Sequence, residues 1–176
     1  NGNAIWYYDD LIPKMTFIKN NTYVDKTNPP YSPLDWREFY QITLISDTSN
    51  AKRTGYWYNS SLFGYSGNSI YTNSASASSI EYYFEVPKSA YYEVYVFNVI
   101  SSNRHLNAEY KINDISTSDT IYINQTLANN SRWFKLGDYY LTKGKKLVVQ
   151  LTNNNLHADR FLSADAVFIS LNRRLS

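Results

Sequence analysis

Few residues of this 176-residue chain have the types and spacing that catalysis needs. The chain contains no cysteine, and its two histidines, His105 and His157, are not in an HExxH or similar metal-ligand spacing. The segment 64–67 lacks the GxSxG spacing of a nucleophile elbow. Four of the five glutamates fall in predicted strands, on faces expected to be solvated, which disfavours a carboxylate pair for glycoside hydrolysis. We therefore predict that the protein is not an enzyme.

Asp165 is the polar residue whose position most requires a partner. In the phase of its predicted strand it lies on the same side as Val167 and Ile169, which should face the core. An unpaired carboxylate in a core is very unfavourable. We therefore predict that Arg104 or Arg160 pairs with Asp165, with Arg104 and Asp165 as a structural ion pair that closes one end of the domain.

A calcium ion is the alternative partner for this carboxylate. Calcium takes about six to eight oxygen ligands. The acidic residues that could supply them are Asp47, Asp159 and Asp165, together with backbone carbonyls. No loop has the dense acidic spacing of a dedicated calcium site, so we expect no metal and no cofactor, with a structural calcium ion as the open alternative.

Aromatic residues outside the strand motifs supply the candidate ligand-binding residues. Tyrosine occurs 18 times, and asparagine and serine are the main polar residues, a composition suited to surfaces that stack and hydrogen-bond without net charge. An aromatic ring offers a flat apolar face to the C–H groups of a sugar, and asparagine can bond its hydroxyls. The candidates are Trp36, Tyr58, Tyr65, Tyr71, Asn59 and Asn68. The alternative is ordinary surface tyrosines, and Trp57 and Trp133 are expected to pack in the core.

The charge balance disfavours some classes of partner. Charged residues make up 18% of the chain and its net charge is +2, with the basic residues scattered along it. Such a balance does not favour binding to nucleic acid or to an anionic membrane. No apolar run approaches membrane-spanning length. Because the chain starts with Asn1 rather than methionine, we expect it to be processed or excised from something longer.

The elements that must hold these residues are short strands at regular spacing, separated by Asn, Ser and Gly turns. Alternation is clearest in segment 80–86, whose even-numbered residues are Ile, Tyr, Phe and Val. The predicted strands are 40–46, 55–58, 78–86, 91–99, 106–112, 120–124, 132–141, 146–151 and 164–171, with a loop over 71–79. This pattern is typical of an all-β, antiparallel β-sandwich, predicted here over residues 39–176.

Residues 1–38 differ from the rest of the chain. They contain four of the five prolines, and proline cannot donate a hydrogen bond to a neighbouring strand. We predict that this segment is an irregular N-terminal extension or linker that does not fold alone. It is expected to pack on the sandwich through aromatic residues such as Trp36.

A set of short motifs, in a fixed order, resembles one known family. The matching segments are Ile45-Ser46-Asp47, Gly55-Tyr56-Trp57, Tyr91-Tyr92-Glu93-Val94-Tyr95-Val96, Arg104, Asn107-Ala108-Glu109-Tyr110, Asn124-Gln125, Trp133-x-x-Leu136-Gly137 and Ser163-Ala164-Asp165-Ala166-Val167. Together they resemble the golvesin C-terminal-like domain, also described as a xanthan lyase carbohydrate-binding-like domain. One departure is the pair Ser89-Ala90, which stands where the family has a glycine before its Tyr-x-Val strand.

The resemblance implies a jelly-roll-like sandwich that serves secreted or surface bacterial proteins as an accessory domain. We therefore predict a non-catalytic module that binds a polysaccharide or packs beside a neighbouring domain of its parent protein. Its expected location is extracellular, periplasmic or on the cell surface, without membrane insertion. The alternative is a structural or protein-interaction module that has no sugar ligand and assembles through its tyrosine-rich surface.

Overall fold

The computed structural model describes residues 18–19, 22–23, 43–113, 118–127, 132–172 and 174–175. The chain divides into two units, Asn1–Ile42 and Thr43–Ser176. In the first unit, strands β1 (Ile18–Lys19) and β2 (Thr22–Tyr23) pair antiparallel. The rest of the predicted extension 1–38, including Trp36, lies outside the described residues.

The second unit is built from antiparallel strands joined by turns. They are β3 (Thr43–Ser46), β4 (Lys52–Thr54), β5 (Tyr58–Phe63), β6 (Asn68–Thr72), β7 (Ser79–Val86), β8 (Ala90–Phe97), β9 (Ala108–Asn113), β10 (Ser118–Ile123), β11 (Trp133–Leu141), β12 (Gly144–Thr152), β13 (Leu162–Ala164) and β14 (Val167–Leu171). Among the described residues, no helix has the length and apolar character needed to cross a membrane.

Three sheets contain these strands. The five-stranded sheet has the order β10-β9-β12-β7-β4, the four-stranded sheet β11-β8-β14-β3, and the small sheet β13-β6-β5. Every named pairing between them is antiparallel, which confirms the predicted all-β, antiparallel sandwich class.

The core follows the alternation that predicted it. In β7 the even-numbered residues from Ile80 to Val86 are all buried, and in β8 Tyr92, Val94 and Val96 are buried in the same way. Strand β9 supplies further buried side chains to the five-stranded sheet, and β14 to the four-stranded sheet. Burial of apolar area at about 25 cal/mol per Å² is the dominant stabilising contribution of such a core.

One prediction concerns a polar contact inside this core. The Tyr82 side chain is buried, and its hydroxyl donates a hydrogen bond of 2.6 Å to the backbone carbonyl of Asp165. The Tyr82→Phe variant leaves this carbonyl without its donor, so we expect the free energy of unfolding to fall by about 1 kcal/mol. Urea unfolding measures the change, and a variant as stable as the wild type would contradict the importance of this bond.

The small sheet is where the sequence-based strands were wrong. Of the predicted strand 55–58 only Tyr58 lies in a strand, as the first residue of β5, and the first two residues of the predicted loop 71–79 belong to β6. The buried residues of this hairpin are largely polar: Ser60, Ser69 and Thr72 are each below 6% exposed. The last predicted strand is also interrupted, because β13 ends at Ala164 and β14 begins at Val167.

Candidate functional site

The β5–β6 hairpin carries most of the predicted ligand-binding residues. Tyr58 and Tyr71 are paired in the register of the two strands, and their ring centroids lie 5.5 Å apart at an interplanar angle of 31°. Tyr58 is 46% exposed. Asn59 and Asn68 are exposed on the same hairpin, opposite Ile70 and Phe63 respectively. The structure therefore brings Tyr58 and Tyr71 together as one aromatic surface.

Two further side chains extend this surface. The Phe161 ring meets the Tyr71 ring edge-on, with centroids 5.2 Å apart. The Arg104 guanidinium carbon lies 5.6 Å from the Tyr71 ring centroid and 5.7 Å from that of Phe161, within reach of a cation–π interaction. We call Tyr58, Tyr71, Phe161 and Arg104 the tyrosine–arginine cluster.

Arg104 is held in place by hydrogen bonds to neutral groups. Its Nε donates to Ser163 Oγ at 2.5 Å, and its Nη1 donates to Asn103 Oδ1 at 2.6 Å. The backbone of Arg104 also forms a bridge with Phe161. Burial lowers the pKa of Arg104 from its usual value. The hydrogen bonds fix the guanidinium in the cluster, and an arginine side chain nevertheless stays positively charged at neutral pH.

The predicted ion pair between Arg104 and Asp165 is not formed. Arg104 bonds to Ser163 and Asn103, and Arg160 Nη1 donates instead to the carbonyls of Ser102 and Arg104. Among the described residues, neither arginine makes a salt bridge to the Asp165 carboxylate. The physical reason is the break between β13 and β14, since Asp165 lies in that break and not in a continuous strand.

Asp165 is buried, with 5% of its surface exposed, and its carboxylate faces the β5–β6 turn. Its Oδ2 accepts a hydrogen bond of 2.5 Å from the backbone N–H of Tyr65, and Gly64 packs so closely on the carboxylate that a Cβ there would overlap it. Burial raises the pKa of Asp165 to about 6, the Tyr65 bond opposes this shift, and the charge of Asp47 adds to it. The buried position was predicted correctly, whereas its partner was not.

The three calcium candidates do not form one cluster of ligands. Asp47 accepts hydrogen bonds from Ser49 and Asn50, which lower its pKa. Asp159 is exposed, and its Oδ1 lies 2.5 Å from His157 Nδ1. Over the described parts of the chain, no group of three or more His, Cys, Asp or Glu side chains is placed to hold a metal ion. The expectation of no bound metal, with a calcium ion at Asp165 as the alternative, stays a prediction.

Tyr65 lies in a second aromatic group, apart from the tyrosine–arginine cluster. Its ring contacts Trp133 and Phe97, at centroid distances of 5.1 Å and 6.1 Å. Trp133 in turn packs edge-on against Phe168 at 5.4 Å. Phe168 alternates with buried residues of β14, so this group covers the outer face of the four-stranded sheet.

The two tryptophans that were expected in the core are both partly buried. Trp133 lies in this aromatic group, and the Trp57 indole N–H donates to the carbonyls of Thr54 and Ser79.

A buried amide supports the tyrosine–arginine cluster from below. Gln125 has no exposed surface, and its Nε2 donates to the Ser163 carbonyl at 2.9 Å and to the Tyr110 hydroxyl at 3.3 Å. Its Oε1 accepts from the Ser163 N–H at 3.0 Å. Gln125 therefore fixes the backbone of Ser163, whose hydroxyl accepts the hydrogen bond from Arg104.

Sequence reasoning did not identify several residues of this region. Phe161 was placed in a loop without a role, yet it completes the tyrosine–arginine cluster. Phe63 and Tyr56 are 79% and 70% exposed on or beside the hairpin. Asn98 is buried, and its amide has no hydrogen-bond partner in the part of the chain that the structure describes. The one signal for Phe161 in the sequence is its place next to Arg160, a candidate partner of Asp165, whose side chain donates to the Arg104 carbonyl.

Solved structures share this fold at low sequence identity. A xanthan lyase of Paenibacillus matches with a TM-score of 0.67 and 22% identity over 74% of this chain and 13% of the lyase. A GH26-CBM35 β-(1,4)-mannanase of Podospora anserina matches with a TM-score of 0.55 and 11% identity over 74% of this chain and 28% of the mannanase. A family 35 carbohydrate-binding module of Clostridium thermocellum matches with a TM-score of 0.50 and 16% identity over 72% of this chain and 96% of the module.

The family assignment rests on sequence as well as on fold. None of the curated proteins matches the chain in sequence. The family model of the golvesin C-terminal domain matches residues 41–171, which is more than half of the chain and includes every strand from β3 to β14. The protein therefore belongs to the golvesin C-terminal domain family.

Proposed function

We propose that this protein is a non-catalytic module that binds carbohydrate, and that the tyrosine–arginine cluster is its binding surface. The observation that carries the proposal is the Tyr58–Tyr71 pair, two adjacent rings on one strand pair with Tyr58 about half exposed. A sugar ring presents axial C–H groups to such a surface, and the contact removes apolar area from water without any requirement for charge.

The cluster is rigid before any ligand arrives. The Tyr71 ring is enclosed by Tyr58, Phe161 and Arg104, and Arg104 is fixed by two hydrogen bonds. A surface that is already ordered loses little conformational entropy on binding. An exposed amide lies next to Arg104, at Asn103, and it supplies a hydrogen bond to a sugar hydroxyl.

The fold relatives support a carbohydrate ligand. Two of the matching structures contain family 35 carbohydrate-binding modules, alone in one case and joined to a β-(1,4)-mannanase in the other. The chain spans only 13% of the xanthan lyase, so the activity of that enzyme says nothing direct about this chain. We propose an accessory role beside another domain of a secreted or cell-surface protein, with a polysaccharide as the partner.

Affinity electrophoresis in gels that contain soluble polysaccharides tests this proposal. The full chain is expected to be retarded by at least one polysaccharide, and Tyr58→Ala is expected to restore most of the free mobility, because loss of the exposed ring removes about 1–3 kcal/mol of binding free energy. Tyr122→Ala is the matched control, because Tyr122 is also an exposed strand tyrosine, at 59% exposure, but lies on β10 of the five-stranded sheet.

Two results would contradict the proposal. Free mobility of the wild type in plant, bacterial and host polysaccharides, with and without calcium, would point to a structural or protein-interaction module. Equal retardation of the wild type and Tyr58→Ala would show that sugar binds at another surface.

A further inference from the structure

A cavity opens at the far end of the β5–β6 hairpin from the tyrosine–arginine cluster. Its volume is about 340 Å³, which is within the range of small-ligand sites. The residues that line it are Leu62, Phe63, Phe97, Asn98, Val99, Ile100 and Arg132. None of them belongs to the tyrosine–arginine cluster. The cavity is therefore a separate candidate site, with apolar walls and two polar side chains.

The first polar side chain is the amide of Asn98. Asn98 is only 1% exposed, and among the described residues neither its Oδ1 nor its Nδ2 has a hydrogen-bond partner. Buried amides in proteins are almost always bonded, so an orphan amide requires an explanation. Gln125, buried to the same degree, makes three hydrogen bonds. The amide of Asn98 thus keeps one donor group and one acceptor available beside the cavity.

The second polar side chain is the guanidinium of Arg132. Arg132 is exposed, and within the described part of the chain its side chain has no hydrogen-bond or ion-pair partner. The two residues are neighbours, because the Asn98 N–H donates to the Arg132 carbonyl at 2.5 Å. A free guanidinium is a planar donor fork that matches the two oxygens of a carboxylate.

We propose that this cavity binds a sugar residue that carries a carboxylate, such as a hexuronic acid unit of a polysaccharide. The apolar wall formed by Phe63 and Leu62 packs on the sugar ring, Arg132 pairs with the carboxylate, and Asn98 turns its amide toward the cavity to bond two ring substituents. Charge complementarity selects this occupant, since the described residues that line the cavity include one cation and no anion. The inference rests on the proposed carbohydrate binding and adds the ligand class.

Calorimetric titration of the full chain tests this assignment. The probes are a galacturonate trisaccharide and the neutral galactose trisaccharide of the same length. The wild type is expected to bind the acidic sugar about tenfold more tightly or more, and Arg132→Gln is expected to remove that difference while it leaves the neutral affinity within about twofold. Arg53→Gln is the matched control, because Arg53 is exposed but bonds to the Thr48 carbonyl and does not line the cavity.

The Asn98→Leu variant separates a ligand-binding amide from a structural one. Leucine has a similar size and needs no hydrogen bond, so the melting temperature is expected to stay the same or to rise by a few degrees. The affinity for the galacturonate trisaccharide is expected to fall about tenfold. A melting temperature lowered by more than about 5 °C would show that the amide has a structural partner, such as a buried water, and would overturn this assignment.

The outcomes distinguish failure of this inference from failure of the proposed function. If the chain binds neutral and acidic trisaccharides equally, and Tyr58→Ala weakens both, the carbohydrate function stands and the assignment of this cavity is wrong. If the chain binds neither probe and no polysaccharide retards it, both are wrong. Loss of acidic selectivity in Arg53→Gln as strongly as in Arg132→Gln would show a general charge effect and would also overturn the assignment.

Discussion

The Gln125→Leu variant is expected to be less stable than the wild type by about 3–5 kcal/mol. Leucine fills nearly the same space, so the effect comes from hydrogen bonds and not from a cavity. The substitution leaves the N–H and the carbonyl of Ser163 without their partners, and it removes a partner of the Tyr110 hydroxyl. All three groups are buried, and each unsatisfied buried group costs about 1–3 kcal/mol.

Asn98→Leu is the matched control for this variant, because it removes a similarly buried amide that makes no hydrogen bond to the described residues. Unfolding in guanidinium chloride should therefore separate the two variants. The free energy of unfolding should fall strongly for Gln125→Leu and should not fall for Asn98→Leu. Gln125→Leu should also weaken carbohydrate binding, since Ser163 holds Arg104. A stability loss of less than about 1 kcal/mol for Gln125→Leu would contradict its role as the support of the cluster.

The Asp165→Asn variant is expected to be more stable than the wild type at pH 7 by about 1–3 kcal/mol. Burial raises the pKa of this carboxyl from 3.8 to about 6. The folded protein therefore binds a proton more tightly than the unfolded chain does. The contribution of the protonated Asp165 carboxyl to the free energy of unfolding is fully present below pH 3.8 and is lost as the pH rises through 6. At pH 7 the wild type contains a buried charge that has no cationic partner among the described residues. Asparagine removes this charge and keeps an acceptor for the Tyr65 N–H.

Melting temperatures between pH 4 and pH 7.5 measure this effect. The advantage of Asp165→Asn over the wild type should grow from pH 4 to pH 7, because the wild-type carboxyl ionises over that range. Each series is run with a chelator and again with calcium. Asp165→Asn is expected not to be less stable than the wild type at pH 7 in calcium. A lower stability of the variant that disappears with the chelator would show that a calcium ion binds the Asp165 carboxylate, and the assignment of this carboxylate as unpaired would be wrong.

The strands of the two main sheets could be predicted from the sequence because their burial pattern depends on residue types within each strand. The inward residues of β7 and β8 are apolar and recur at every second position, so their buried face follows from the residue types alone. The β5–β6 hairpin, which carries the candidate site, cannot be predicted from such an alternation. Its inward positions include Ser60 and Ser69, whose hydroxyls are satisfied by the Leu62 N–H and the Leu62 carbonyl. Because these inward residues are polar, the sequence shows no alternation of apolar and polar residues that would predict the strands.

The contacts of Arg104 and Asp165 show a second limit. The residue types indicated that a buried carboxylate and a buried guanidinium were present, and both are buried. Their partners depend on the break between β13 and β14, which directs Asp165 to the Tyr65 backbone and leaves Arg104 with Ser163. The same break cannot be seen in the alternating letters of segment 164–171. Tyr58 and Tyr71 were identified as candidates separately, but only the strand register shows that they form one surface.

The most direct test of the central claim is a calorimetric titration of the full chain with the polysaccharide that retards it most, carried out on the wild type, Tyr58→Ala and Tyr122→Ala. Tyr58→Ala is expected to lose about tenfold or more in affinity, because Tyr58 is the exposed ring of the tyrosine–arginine cluster, whereas Tyr122→Ala should match the wild type. Equal affinities for all three proteins would contradict the assignment of this surface as the carbohydrate site.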